Sequence, residues 1–322
     1  MDAPLISVAL ATYNGEKYIK DQINSILNQT YKNIEIIICD DNSIDKTYSI
    51  LTSFQKIHFI KIFRNKSNLG YIKNFEKVLS LCSGDYIAFC DQDDIWLPNK
   101  LELLFKNIGN FSLILSDSVI IDSNGKIISS SYFKMRNENF ESNLSFKLLL
   151  GNSFQGCMML FKKDVLTYAL PFPKSYPPHD WWISLISCKL NGIKIFPTSL
   201  MKWRRHSQTD TTSESLDFKS NNSRLLKFLL FFKYYQDILK LLDGIRNSKK
   251  KYQNVYEDFI HLDIFTIKEI TIMEELLKMH NLLDRKKSKL QGFKILYRYR
   301  SFLFPENRFL FKWGRLFLVC FV

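Results

Sequence analysis

The sequence predicts an α/β fold: a mostly parallel sheet covered by helices on both faces, followed by a helical, basic C-terminal region. Three observations carry this. Short β-rich runs, too continuous in apolar residues for half-exposed edges, alternate with stretches of helical spacing over the first half of the chain. An Asn-Gly turn then signals antiparallel pairing. Beyond about residue 214 the apolar spacing turns helical, and no proline falls between Pro197 and Pro305.

The elements follow in order. Residues 5–11 are too continuously apolar for a half-exposed edge and predict a buried strand. Tyr18, Ile19, Gln22, Ile23, Ile26 and Leu27 repeat at helical spacing. Residues 34–39 predict a second strand; Tyr48, Ile50, Leu51 and Phe54 predict a second helix. Residues 57–63 predict a third strand, and Phe75, Val78, Leu79 and Leu81 a third helix. Residues 86–90 predict a fourth strand. The tetrapeptide Asp122-Ser-Asn-Gly125, between residues 119–121 and 126–128, predicts a tight hairpin. Pro171, Pro173, Pro177 and Pro178 mark an irregular link before a helix starting near His179. A Ser/Thr/Asn-rich stretch at residues 213–222 divides the chain into an α/β part, 1–214, and a helical part, 215–322.

Composition narrows the class. With 322 residues, 46% hydrophobic and 24% charged, the chain is neither disordered nor collagen-like. Cys39, Cys82, Cys90, Cys157, Cys188 and Cys320 are scattered without a C-x-x-C pair, which favours reduced thiols in a cytosol over a disulfide framework or metal knuckle. The first residues lack a basic region and the apolar run after them is short for a signal peptide. No stretch reaches the roughly 18 uncharged apolar residues of a membrane span. These features predict an intracellular chain. The net charge of +13 is uneven: +3 over residues 1–214 and +10 over residues 215–322. A near-neutral body with a basic tail suggests a localised electrostatic contact rather than a nucleic-acid binder.

An alternating β/α half invites a nucleotide, yet there is no G-x-G-x-x-G, and Gly151-x-x-x-x-Gly156 is followed by Cys157-Met158 instead of Lys-Ser/Thr. Phosphates must be handled by something else. Asp91-Gln92-Asp93-Asp94 directly follows the strand at 86–90, where such sheets bind ligands. A hard divalent cation would relieve the repulsion among these carboxylates and bridge to a diphosphate. The alternative is a helix N-cap, for which one carboxylate suffices. Asp40-Asp41 ends the second strand and Thr12-Tyr13-Asn14 the first, so three strand ends converge on one rim. A carboxylate there accepts a uracil or thymine imide N–H and a Tyr ring stacks on the base; Asp40-Asp41-Asn42-Ser43 as a helix cap is the competing reading.

The segments Val8-Ala-Leu-Ala-Thr-Tyr-Asn14, Asn28-Gln-Thr-Tyr31, Ile37-Ile-Cys-Asp-Asp-Asn-Ser43, Asn68-Leu-Gly70 and Gly84-Asp-Tyr-Ile-Ala-Phe-Cys-Asp-Gln-Asp-Asp-Ile-Trp96 together resemble the inverting family 2 glycosyltransferases, in order and at family spacing, over roughly residues 4–210. The resemblance implies a GT-A nucleotide-sugar-binding domain. It implies that Thr12, Tyr13 and Asp40 contact the base, that Asn14, Asp41 and Gly70 belong to the same nucleotide-sugar site, that Asp91 meets the ribose or metal, and that Asp93 ligates Mn2+ or Mg2+. Asn42 stands where many members have Gly, and Asn also tolerates positive φ.

The family's catalytic carboxylate closes an acidic pair on a helix, and the matching position here is His179-Asp180-Trp181-Trp182, with His for the usual Glu. This is similar to the rhamnosyltransferase-type branch, which also carries an Arg-x-His segment like Arg204-Arg205-His206. The resemblance implies Asp180 as the base that takes the acceptor hydroxyl's proton. Trp181 and Trp182 stack on an acceptor sugar or pack in the core. Arg204 and Arg205 meet diphosphate charge, and His206 is a metal or diphosphate ligand or an ordinary satisfied histidine. The processive-synthase Gln-x-x-Arg-Trp is missing.

These features predict a non-processive transferase using a UDP- or dTDP-sugar (rhamnose, glucose or galactose), with a lipid-linked saccharide of bacterial surface polysaccharide as acceptor. Residues 285–322 hold ten basic residues, one acid and ten aromatics. That mixture suits reversible docking on an anionic membrane, placing the enzyme peripherally on the cytoplasmic face; a closing helix packed on the body is the other reading. The alternative function, a basic nucleic-acid-binding protein, conflicts with the acidic rim.

Overall fold

The computed structural model describes residues 3–136, 148, 154–172 and 178–206. They belong to one compact unit, Met1–Ser207. The boundary expected at 213–222, the helices expected beyond it and the basic aromatic tail lie outside the described residues.

In chain order the elements are β1 (Ile6–Thr12), α1 (Ile19–Leu27), β2 (Ile34–Asp40), α2 (Thr47–Thr52), β3 (Ile60–Arg64), α3 (Tyr71–Leu81), β4 (Tyr86–Cys90), β5 (Ile95–Trp96) and α4 (Lys100–Ile108). After them come β6 (Leu113–Ile121), β7 (Ile127–Ser129), α5 (Tyr132–Arg136), a 3-10 turn at Gly156–Met158, β8 (Met159–Lys162), α6 (Val165–Ala169), α7 (His179–Lys189) and β9 (Ile193–Arg204). The strands form one sheet in the order β3-β2-β1-β4-β8-β6-β9-β5, with β7 paired on β6.

The apolar runs behave as buried parallel strands should. In β1, Ile6, Val8, Ala9 and Leu10 are fully buried, as are Ile36, Ile37 and Ile38 of β2. Each buried Val, Leu or Ile side chain contributes roughly 1.5–3 kcal/mol, and the βαβ crossovers cover the faces with helices. The amphipathic stripe of α1 buries Ile19, Ile23 and Ile26, and that of α3 buries Phe75, Val78 and Leu79. Register positions the rim: Thr12 pairs with Asp40 on one side of β1, and Leu10 pairs with Cys90 on the other. The C-terminal ends of β1, β2 and β4 therefore lie side by side.

Four details differ from expectation. The third strand starts at Ile60, because residues 57–60 are spent on turns in which Ile57 N–H donates to Phe54 and Ile60 N–H to Ile57. The second helix stops at Thr52, where Ser53 caps it. The arm before the hairpin extends to nine residues in β6, parallel to the twelve-residue β9. Strand β9 itself was not expected, since Pro197 sits inside it; the pairing steps from Ser116↔Phe196 to Asp117↔Ser199, so the proline and Thr198 bulge out of the ladder.

Candidate active site

The rim begins with the turn after β1. Tyr13 is 41% exposed, its ring open for stacking. Asn14 has φ 49°, donates its N–H to Ser43 Oγ at 2.9 Å and accepts Ile44 N–H on Oδ1 at 3.0 Å, tying this turn to the one after β2. Thr12 Oγ1 donates to Gln92 Oε1 at 2.6 Å.

Asp40 is fully buried, bonded by Ser43 N–H at 3.2 Å and by Ser43 Oγ, and paired with Arg64 Nε at 3.2 Å. Burial pushes its carboxyl above the ordinary value, and the Ser43 bonds and Arg64 work against that. Asn42 adopts φ 62°, a left-handed conformation that Asn tolerates. Asp41 turns the other way. Its carboxylate accepts Asn65 Nδ2 at 2.7 Å, Leu69 N–H at 2.8 Å and Gly70 N–H at 2.9 Å. Asp41 thus holds the 68–70 loop, with Gly70 at φ 83° just before α3, a conformation that favours glycine.

Beyond β4 the acidic residues part company. Asp93 Oδ2 lies 2.7 Å from His206 Nε2, so the turn after β4 meets the segment that follows β9. Asp94 is buried and accepts Arg204 N–H at 3.0 Å on one oxygen, the other having no hydrogen-bond partner. Burial raises Asp91 to about 7, with Asp93 and then Asp180 adding to the push. That interaction brings the candidate base into the field of the acidic motif. Burial likewise raises Asp94 well above the carboxylate range.

Sequence reasoning missed Lys100. Its side chain is fully buried, donates Nζ to the Cys157 carbonyl and lies 3.9 Å from the Trp96 ring centroid. Burial lowers it to about 8, against the attraction of Asp94 and Asp91 among others. A lysine two residues after a proline carries no sequence signal for burial. Tyr18 was read only as part of an apolar stripe; its ring underlies both the Arg204 guanidinium, at 4.5 Å, and the His206 ring, at 5.2 Å.

Several expected roles change. Arg204 is 4% exposed: Nε donates to the Asp93 carbonyl at 2.8 Å, and one terminal nitrogen reaches the Asp122 and Ser123 carbonyls at 3.4 Å. It braces the acidic turn and is not presented to a diphosphate. Arg205 is half-buried, its guanidinium 5.8 Å from the Trp203 ring. Trp181 and Trp182, at 4% and 3% exposure, donate their indole N–H groups to the carbonyls of Leu148 and Ala169. Both pack in the core, leaving no open face for an acceptor sugar.

Asp180 sits in the first turn of α7, 8% exposed, with Oδ1 accepting Trp181 N–H at 2.7 Å. His179 before it stacks on Phe75 at 3.8 Å, and neither ring nitrogen has a hydrogen-bond partner. Burial lowers its pKa to about 3, so a neutral imidazole precedes Asp180.

The donor set fits a hard divalent cation. Asp93 and His206 already share a 2.7 Å contact. The carboxyls of half-buried Asp91 and buried Asp94 are held above their ordinary pKa by burial and by the charge of neighbouring carboxylates, which a cation would relieve. Among the described residues, the three groups whose ligand atoms all lie within 4.8 Å of one another are Asp91, Asp94 and Cys157. The expected trio of Asp91, Asp93 and His206 is not such a set. Cys157 suits a hard ion poorly, since burial holds its thiol protonated.

The sequence pattern of Glycosyl transferase family 2 matches residues 7–168, from β1 through α6. The chain belongs to this family. An uncharacterized glycosyltransferase of Haemophilus influenzae is 30% identical over 291 residues, covering 83% of this chain and 89% of that protein. The Escherichia coli UDP-Glc:alpha-D-GlcNAc-diphosphoundecaprenol beta-1,3-glucosyltransferase WfgD is 32% identical over 202 residues, 60% of this chain and 73% of its own. Among solved structures, S. aureus TarS 1-349 in complex with UDP-GlcNAc superposes with a TM-score of 0.58 at 16% identity, covering 92% of this chain and 81% of that one. This glycosyltransferase family 2 chain thus has the expected GT-A-like α/β fold. No helix among its described residues is long and apolar enough to cross a membrane.

Proposed function

We propose that this glycosyltransferase inverts the anomeric centre of a UDP- or dTDP-hexose (glucose, galactose or rhamnose) and adds that one sugar to a lipid-linked saccharide of a surface polysaccharide. The observation that carries this is the convergence on one rim of the ends of β1, β2 and β4, set side by side by the pairings Thr12↔Asp40 and Leu10↔Cys90, with the charge of Asp180 reaching Asp91. Attack and departure need these two parts together: a carboxylate to take the acceptor proton and an acidic turn to manage the diphosphate. Tyr13 stacks on the base; Thr12 and Asp40, expected to contact it, are buried and bonded to Gln92, Ser43 and Arg64, so they shape the turn beneath it, and Asp41 fixes the loop of Gly70 beside it.

When bound, Mn2+ or Mg2+ supplies positive charge against the leaving diphosphate. Asp93 and His206, already in contact, would hold it, and Asp91 from the same turn would join them only after a side-chain shift. The carboxylate of Asp180 accepts the hydroxyl proton, and the neutral His179 beside it brings no countercharge that would weaken the base.

The named substrate of the Escherichia coli relative, a diphosphoundecaprenol-linked GlcNAc, supports a lipid-linked acceptor. The His179-Asp180 pair favours a rhamnosyltransferase-like branch. The division into a catalytic part, 1–214, and a helical part, 215–322, with the ten basic and ten aromatic residues of 285–322 docking on an anionic membrane, belongs to the same proposal. Release of free nucleotide from a panel of UDP- and dTDP-sugars, with and without Mn2+, tests the donor. Sedimentation with anionic and neutral liposomes, comparing the full chain with one ending near Asp284, tests the docking. Turnover of no nucleotide sugar overturns the first, and equal, salt-independent sedimentation the second.

A further inference from the structure

Gln92 lies between the two metal-side carboxylates, yet its side chain leaves them and crosses to β1. Its Oε1 accepts two hydrogen bonds, from Thr12 Oγ1 at 2.6 Å and from Tyr13 N–H at 2.8 Å. Its Nε2 donates to the Tyr13 carbonyl at 3.1 Å. The Tyr13 N–H can only donate and the Tyr13 carbonyl can only accept, so the backbone fixes which end of the amide is oxygen. A side-chain amide that pairs with both backbone groups of one residue holds that residue's position and orientation.

Gly15 makes room for this clasp. A Cβ at Gly15 would lie 2.4 Å from Gln92 Oε1 and 2.7 Å from its Cδ, closer than any methyl can sit. The same glycine is fixed independently. Its N–H donates to Thr47 Oγ1 at 2.7 Å, and its carbonyl accepts Tyr18 and Ile19 N–H at 3.0 Å as α1 begins. The turn carrying Tyr13 is therefore gripped by Gln92 on one side and anchored to α1 and α2 on the other.

We propose that Gln92 is a positioning residue that couples the nucleotide base, seated on Tyr13, to the cation held at the turn of Asp91 and Asp93. The proposal rests on the reading of the site given above. A base stacked on Tyr13 orders the turn, the turn orders Gln92, and Gln92 is covalently flanked by both carboxylates. The coupling is reciprocal: the cation tightens nucleotide binding by the factor by which the nucleotide tightens cation binding.

The test is calorimetric titration of the full-length chain with UDP, with and without Mn2+, for wild type, Gln92→Ala and Gln92→Glu. Wild type should bind UDP about 10-fold or more tightly when Mn2+ is present, within the usual range of linked sites. Gln92→Ala should reduce that factor by about 3-fold or more, the remainder being the cation's direct attraction for the diphosphate, while leaving the Mn2+ affinity without UDP within about 3-fold, since no ligand atom is removed. Gln92→Glu keeps an acceptor for Thr12 and Tyr13 N–H but sets a carboxylate against the Tyr13 carbonyl, so its factor should fall between the two. This variant decides the matter if Gln92→Ala does not fold. A coupling factor equal to wild type in the folded variants overturns the role of Gln92 alone. A wild-type chain that binds no UDP, or whose UDP affinity ignores Mn2+, overturns the site reading and the coupling with it.

Discussion

Asp93 and His206 stand 113 residues apart in the chain and 2.7 Å apart in space, Oδ2 against Nε2. The contact joins the turn after β4 to the end of β9 and places an imidazole where a carboxylate of the acidic motif would share an ion. Asp93→Asn should abolish transfer while leaving the fold intact, because an amide cannot replace a charged ligand opposite a diphosphate. His206→Ala should weaken Mn2+ binding by about 10-fold or more, as loss of a supporting ligand does. Titrating activity against Mn2+ checks both, and near wild-type turnover in Asp93→Asn, or indifference to EDTA, would exclude the ion from the mechanism.

Asp180→Asn should lower turnover by about 10²-fold or more with little change in donor affinity, since a general base is worth roughly 10²–10⁴-fold. Steady-state kinetics alongside UDP titration separate the two effects. A variant that loses nucleotide binding but turns over normally would assign Asp180 to structure.

The pKa of Asp91 sets a pH dependence whose sign can be worked out. Burial, Asp93 and Asp180 raise it from the ordinary 3.8 to about 7. Between about pH 4 and 7 the folded chain keeps a proton the unfolded chain has lost, so this group's contribution to stability declines as pH rises through that window. Metal binding requires the carboxylate and expels the proton. The Mn2+-induced rise in Tm should therefore be larger at about pH 8 than at about pH 6, and Asp91→Asn should flatten the difference. Thermal melts at several pH values decide it; a metal effect larger at the lower pH would contradict the assignment.

Lys100 is the internal cation of the acidic turn. Lys100→Met should destabilise the protein by about 3–5 kcal/mol, because it orphans the Cys157 carbonyl and strips positive charge from beside Asp91 and Asp94. Urea denaturation measures this. A loss below about 1 kcal/mol would mean the carboxylates are neutral without it.

The parallel half of the fold was legible because its signals are local. Strands β1, β2 and β4 are apolar on both faces, and the stripes of α1 and α3 repeat within a few turns. The rim could be placed for the same reason, since Thr12 and Asp40 end strands β1 and β2 and Asp91 directly follows β4. Legibility failed where partners are distant. Arg204 at a strand end reads as a cation awaiting phosphate, and only the carbonyls of Asp93, Asp122 and Ser123 show that it is already occupied. The two tryptophans read equally well as a stacking platform or as core until their N–H partners, Leu148 and Ala169, are known. Nothing in the residues around Gln92 distinguishes a clasp from a spacer; its partners lie 79 and 80 residues upstream.

The position of β9 imposes an order on how the enzyme comes into being. Base-side residues arise from consecutive βα units, whose contacts can form while a nascent chain is still emerging. The bond from Arg204 N–H to Asp94 spans 110 residues, and the His206 contact spans 113. Closing so long a loop carries an entropy cost that is repaid only when β9 zips alongside β6. The rim of β1, β2 and β4 can therefore form before the contacts that Arg204 and His206 make with the acidic turn, which must wait for β9.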